Sequence, residues 1–75
     1  MLELLDLMND YLDGNIECEI YDYASSDILY TGDVYGALRK FRMFRDRDGA
    51  TYEVATFMEI DPTTGKLYIP VEPIG

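Results

Sequence analysis

The sequence predicts a small α+β domain in which two helices pack on one face of an antiparallel sheet. Apolar residues recur at helical spacing in two segments, one at the N-terminus and one in the middle of the chain. The segments that follow each of them alternate between apolar and polar residues, as half-buried strands do. With 75 residues, the chain is expected to form a single domain over residues 1–75, with about four strands in the order αββαββ.

The first helix is expected over residues 1–13. Its apolar stripe consists of Met1, Leu4, Leu5, Met8, Tyr11 and Leu12. The opposite side is acidic and carries Glu3, Asp6, Asp10 and Asp13. Gly14 and Asn15 follow, and both residue types tolerate the left-handed backbone that ends a helix.

A β-hairpin is expected next, with its first strand over residues 16–23. One face of this strand carries Ile16, Cys18, Ile20 and Asp22, and the other carries Glu17, Glu19, Tyr21 and Tyr23. Residues 24–27 are typical of a turn, and residues 28–31 are rich in strand formers. Because the turn between them is short, residues 28–31 are expected to pair antiparallel with the first strand.

The central helix is expected to begin after Asp33, which is a favourable N-cap, and to run to about residue 45. Its apolar positions are Val34, Ala37, Leu38, Phe41 and Phe44. Gly36 in its first turns weakens it by about 1 kcal/mol relative to alanine. The alternative is a shorter helix followed by a strand over residues 40–47 that turns at Asp48 and Gly49. The helix is the preferred interpretation.

Two further strands complete the expected sheet. Residues 51–60 are rich in strand formers, and residues 61–65 combine an early proline with a late glycine, as turns do. In the last strand Leu67, Ile69 and Val71 are expected to face inward. Pro70 cannot donate a hydrogen bond to a neighbouring strand, which predicts that the last strand lies at an edge or ends there.

The charges are segregated along the chain, whose net charge is −9. Residues 1–33 hold nine acidic residues and no lysine or arginine. Five of the six basic residues fall in one stretch, Arg39, Lys40, Arg42, Arg45 and Arg47. The acidity has two explanations: charge that keeps a small domain dispersed, or a negative surface for a basic partner. The basic stretch either pairs with nearby acids on a solvated helix face or contacts nucleic acid, which the overall charge opposes.

The candidate partner-binding surface combines acids of the first helix with the polar face of the first strand. Its members are Asp6, Asp10, Asp13, Glu17, Glu19, Tyr21 and Tyr23. Spaced carboxylates can imitate the phosphates that draw Lys and Arg in nucleic-acid-binding proteins. Tyrosines contribute rigid anchors at an interface. The expected partner is therefore a basic surface of a nucleic-acid-binding protein, with direct nucleic-acid binding disfavoured.

Catalysis is not expected. The chain has no histidine and one cysteine, so general-base triads and ordinary zinc sites are excluded, and no cofactor or metal is expected. Cys18 has acidic neighbours and is expected to be a small buried hydrophobic residue in a reducing compartment. The N-terminus has no signal-peptide pattern, and no apolar run reaches the length of a membrane span. These features predict a cytoplasmic protein that does not bind membranes.

Several segments resemble small uncharacterised proteins carried by bacterial phages and conjugative elements. The resemblance rests on Ile20-Tyr21-Asp22-Tyr23 and on segments 28–33, 52–54 and 67–71, and spans most of residues 16–71. Small acidic phage proteins include anti-CRISPR inhibitors that are similar in size, charge and α+β make-up. The analogy implies a protein of a mobile element that inhibits a nucleic-acid-processing protein of its bacterial host, in one form as a nucleic-acid mimic.

Two other functions remain open at this point. One is a non-catalytic structural or scaffold protein, such as a homodimer joined through a sheet edge. The other is a regulatory nucleic-acid binder that uses the basic stretch from Arg39 to Arg47. The sequence does not decide between a monomer and a homodimer.

Overall fold

A computed structural model, which describes all 75 residues, confirms the α+β class with an N-terminal and a central helix. The helices are α1 (Leu4–Asp6), which runs directly into a π-helical segment (Leu7–Tyr11), and α2 (Val34–Asp48). The strands are β1 (Glu17–Asp22), β2 (Ile28–Asp33), β3 (Tyr52–Val54), β4 (Glu59–Ile60) and β5 (Leu67–Pro73). Neither helix is long and apolar enough to cross a membrane.

The first helix begins at Leu4, three residues later than the sequence predicts. The residues before it are held by the sheet instead. The backbone N–H of Val54 donates to the carbonyl of Leu2 at 2.9 Å, and Glu3 forms an isolated antiparallel bridge with Glu53. These contacts cover the outer edge of β3, whose N–H groups would otherwise face solvent.

The predicted central helix forms and includes residues 40–47, but it runs to Asp48, about three residues beyond its predicted end. The Asp33 carboxylate accepts a hydrogen bond from the Gly36 N–H at 2.8 Å, which caps the N-terminus. Gly49 adopts a left-handed backbone with φ of 69°, and its N–H donates to the carbonyl of Arg45. Local signals therefore define both ends of α2, and the alternative strand over residues 40–47 is not formed.

The sheet has five strands and is mixed, not wholly antiparallel. Its order is β2-β1-β5-β3, and β4 also pairs with β5. The hairpin β1–β2 is antiparallel, whereas β1 and β5 run parallel. β3 and β4 pair with the same edge of β5 at its two ends, so the single strand predicted over residues 51–60 is interrupted at residues 55–58.

Pro70 lies in the middle of the central strand β5, so the prediction of an edge strand was wrong. The carbonyl of Pro70 accepts a hydrogen bond from the N–H of Ala55 at 2.9 Å. A residue's N–H and C=O point to the same side of a strand. The donor that Pro70 lacks would therefore point to the edge where residues 55–58 interrupt the pairing.

Both helices pack on one face of the sheet, which we call the inner face. The buried core comprises Leu4, Leu7, Met8, Cys18, Ile20, Val34, Ala37, Leu38, Phe41, Ile69 and Val71. The inward positions predicted for Ile69 and Val71 are confirmed, and Leu67 is partly buried against the same cluster. Phe41 makes edge-to-face contacts with Phe44 and Tyr52, with ring centroids 5.6 and 5.4 Å apart. The opposite face of the sheet has no helix over it.

Candidate protein-binding face

The register of the strands determines which residues lie on the helix-free face of the sheet. Glu19 of β1 lies opposite Thr31 of β2 and Tyr68 of β5, and Tyr68 lies opposite Glu59 of β4. Residues opposite one another in a sheet share a face. Their neighbours along each strand, such as Ile20 and Ile69, belong to the buried core. One row of side chains across four strands is therefore Thr31, Glu19, Tyr68 and Glu59.

Neighbouring rows add further acids to this face. Glu17 precedes Glu19 by two residues on β1, and Tyr21 follows it by two. Glu53 of β3 lies opposite Glu72 of β5. We call the whole set the outer face: Glu17, Glu19, Tyr21, Glu53, Glu59, Tyr68 and Glu72.

The structure divides the seven predicted site residues. Glu17, Glu19 and Tyr21 lie together on the outer face, and Tyr23 directly follows β1, with its side chain about half exposed. Asp6 and Asp10 belong to the helical segments on the other side of the sheet.

Two of the helix-side acids have local surroundings that explain their positions. Asp6 lines a small cavity of about 90 Å³ with Arg45. Asp13 lies in the connection to β1, where its carboxylate accepts the N–H of Asn15 at 2.8 Å. The predicted acids therefore do not form one continuous surface.

Three acids of the outer face were not singled out by sequence reasoning: Glu53, Glu59 and Glu72. Tyr68 was missed as well. Alternation within residues 67–71 places the Tyr68 side chain on the face opposite to Leu67 and Ile69, so the sequence pattern could have identified it. The acids could not be assigned because their strands become neighbours of β1 only through β5.

The outer face has little internal charge compensation. Its one ion pair joins the Lys66 ammonium to the Glu19 carboxylate at 3.8 Å. The same ammonium lies 5.7 Å from the centre of the Tyr68 ring. The other four glutamates of the face form no salt bridge, so the face presents a strongly negative potential with aromatic rings within it.

Crowding of carboxylates is evident where β3 meets β5. The protonated Glu72 carboxyl group donates a hydrogen bond to the Glu53 carboxylate, which is the main cause that raises the pKa of Glu72. Burial and the negative charges of Glu53 and Asp22 raise the pKa of Glu72 further. A cationic partner would relieve this repulsion directly.

Five of the six basic side chains belong to α2 and lie in the helix layer, away from the outer face; the sixth is Lys66. Arg42 donates to the amide oxygen of Asn9 at 3.0 Å, and Arg45 pairs with its neighbour Asp46 at 3.3 Å. No arginine of α2 forms a salt bridge with the acids of residues 1–33. The predicted pairing of this helix with nearby acids is thus limited to Arg45 and Asp46, and the molecule has an acidic face and a basic helix on opposite sides.

The ligand chemistry of the chain is limited. No group of three or more His, Cys, Asp or Glu side chains is arranged to hold a metal ion. Cys18 has no exposed area, and burial raises the pKa of its thiol to about 11.

Comparison of the chain with protein-family models, curated proteins and solved structures finds no match in any of the three.

Proposed function

We propose that the protein binds a basic surface of a nucleic-acid-binding protein through the outer face and blocks the access of nucleic acid. The observation that carries the proposal is the helix-free sheet face, where five glutamates meet one lysine and only Glu19 is ion-paired. Such a surface attracts Lys and Arg clusters and raises the rate of association with them.

The arrangement suits imitation of a phosphate backbone. Glu17 and Glu19 alternate with the buried residues of one strand, so their Cα atoms are about 6.8 Å apart, and neighbouring strands add carboxylates about 4.8 Å away. A rigid sheet holds these charges without the entropy loss that flexible acids would suffer on binding. Tyr21 and Tyr68 are partly buried within the same surface and can anchor a partner. An anti-CRISPR-like inhibitor encoded by a mobile element is the concrete form of the proposal.

The test compares two variants of equal net charge. The outer-face variant carries Glu17→Gln, Glu19→Gln and Glu59→Gln, and the matched control carries Asp6→Asn, Asp10→Asn and Asp48→Asn in the helix layer. Each variant and the original protein is immobilised and exposed to bacterial lysate, and bound proteins are eluted with a salt gradient. Nucleic-acid-binding proteins should be retained by the original protein and by the control, and lost from the outer-face variant.

Competition separates mimicry from general charge attraction. Duplex DNA or RNA added to the lysate should displace the captured proteins, because mimicry requires the same binding channel. Equal capture by the two variants, or capture that neither nucleic acid displaces, would refute the proposal.

A homodimer joined through a sheet edge has less support. On the exposed edge of β2, the carbonyl of Leu29 accepts a hydrogen bond from Lys40, and that of Asp33 accepts one from the Tyr30 hydroxyl. Two acceptors that a second strand would need are therefore occupied. Sedimentation at several protein concentrations should show a monomer, and a dimer at micromolar concentration would favour the scaffold function instead.

A further inference from the structure

The helix layer contains an open cavity of about 470 Å³ between the π-helical segment and α2. Six residues line it: Asn9, Asp33, Tyr35, Leu38, Arg39 and Arg42. None of them belongs to the outer face. The volume is in the range of sites that hold small organic ligands.

Two guanidinium groups border the cavity from one side of α2. Arg39 and Arg42 are three residues apart, which places their side chains next to each other on the helix surface. Arg39 makes no hydrogen bond or salt bridge within the protein, and Arg42 makes one, to Asn9. Most of their N–H donors are therefore free. Guanidinium groups match the oxygen geometry of phosphate and bind it through paired hydrogen bonds.

An aromatic ring lies one helical turn before Arg39. Tyr35 is 57% exposed, and its ring packs against Gly14 so closely that a Cβ atom on Gly14 would lie 2.5 Å from ring carbons. The backbone thus supports one side of the ring. A supported, exposed ring is a stacking platform for a nucleobase.

The remaining walls add an apolar surface and a polar acceptor. Leu38 is nearly buried and lies beside the two arginines. One carboxylate oxygen of Asp33 caps α2, and its second oxygen has no hydrogen-bond partner. Asn9 is presented by the π-helical segment, a rare backbone form that often occurs at functional sites.

We infer that this cavity binds a nucleoside phosphate, with the phosphate on Arg39 and Arg42 and the base stacked on Tyr35. The free oxygen of Asp33 can accept a hydrogen bond from an amino group of the base. The net charge of −9 opposes a long polyanion, but charges beyond about 8 Å are largely screened at physiological salt. The inference is independent of the function proposed for the outer face.

The test is a titration of the ¹⁵N-labelled protein followed by NMR, with AMP, adenosine and inorganic phosphate as separate probes. A fluorescent ten-nucleotide oligodeoxyadenylate, titrated by anisotropy, distinguishes a free nucleotide from the end of a single strand. AMP or the oligonucleotide should shift the signals of Tyr35 and of the arginines that line the cavity. Adenosine and phosphate alone should each bind at least about tenfold more weakly, since each makes half of the contacts.

Three variants locate the site. Arg39→Gln and Tyr35→Leu should each weaken binding about tenfold or more, because they remove a charged hydrogen-bond donor and the stacking ring. Arg47→Gln is the matched control, since Arg47 lies on the same helix outside the cavity and its side chain donates a hydrogen bond to the Met43 sulfur. The inference is overturned if neither AMP nor the oligonucleotide binds at millimolar concentration. It is also overturned if Arg39→Gln and Arg47→Gln weaken binding equally.

Discussion

Cys18 lies in the centre of the sheet, and its environment suppresses the chemistry of its thiol. Its pKa is raised to about 11, mainly by burial and to a lesser extent by the negative charges of Glu17 and Asp33, against a smaller opposing effect of Lys66. Only the thiolate is nucleophilic, so a rise from 9.0 to about 11 lowers the reactive fraction about a hundredfold near neutral pH.

Alkylation of Cys18 measures this effect. We expect the folded protein to react with iodoacetamide at pH 8 more than about a hundredfold more slowly than the protein unfolded in urea, because lost thiolate and lost access combine. Mass spectrometry of timed samples gives both rates. Similar rates in the two states would show that the core opens readily around β1.

The pKa of Glu72 is raised as well, but at the surface and mainly by its neighbour Glu53. Folding raises its pKa above the ordinary 4.5, so the folded state holds this proton more tightly than the unfolded chain does. The contribution to stability is fully present below pH 4.5 and is lost as the pH rises through the folded-state pKa. At neutral pH, Glu53 and Glu72 therefore repel each other as a pair of carboxylates.

Neutralising one member of this pair should stabilise the fold. Glu72→Gln is expected to raise the urea midpoint at pH 7, and the gain should disappear below about pH 4.5, where the native carboxyl group is already protonated. Glu59→Gln controls for the general relief of negative charge on the outer face and should give a smaller gain. A gain for Glu72→Gln that does not change with pH would contradict repulsion within the pair.

At the scale of the element, α2 shows how tertiary packing overrides helix propensity. A glycine in the first turns of a helix is unfavourable by about 1 kcal/mol relative to alanine. Here, however, the Tyr30 hydroxyl occupies the place of a side chain on Gly36 and donates to the carbonyl of Asp33 at 2.9 Å. An added Cβ would also lie 3.1 Å from the carboxylate oxygen that caps the helix.

Gly36→Ala should therefore lower the free energy of unfolding, by about 1 kcal/mol, although propensity alone predicts a gain. The loss arises because Tyr30 must move and give up its hydrogen bond. In the Tyr30→Phe background the same substitution should cost less, and a double-mutant cycle by urea denaturation measures the coupling. An additive cycle would show that Tyr30 is not the cause.

At the scale of the whole molecule, the charges are separated by the sheet. The outer face carries unpaired glutamates, while the arginines of α2 lie in the helix layer and form one salt bridge, to Asp46. Repulsion among the acids is not offset by internal pairs, so it opposes folding and is reduced by salt.

Salt should consequently stabilise the protein. We expect the urea midpoint to rise between low salt and about 0.5 M sodium chloride, as the Debye length falls to a few ångströms. The outer-face variant Glu17→Gln, Glu19→Gln, Glu59→Gln should show a smaller rise than the original protein. A midpoint that falls with salt would mean that attractive pairs outweigh the repulsion.

Local features were the ones that residue patterns could determine. The N-cap at Asp33 and the turn over residues 61–65 each depend on side chains within a few positions, and both form as predicted. In that turn the Asp61 carboxylate accepts the N–H groups of Thr63 and Thr64. Alternation likewise identified Glu17, Glu19 and Tyr21 as one face of a strand.

Only the tertiary structure decided which of these local pieces became neighbours. The parallel pairing of β1 with β5 brings Tyr68 beside Glu19, and β3 and β4 then add their own acids on the far side of β5. The packing of α1 on the inner face separates Asp6 from those residues. Periodicity within a strand specifies which side chains share a face, but the choice of partner strand depends on long-range burial of apolar surface, which no local pattern encodes.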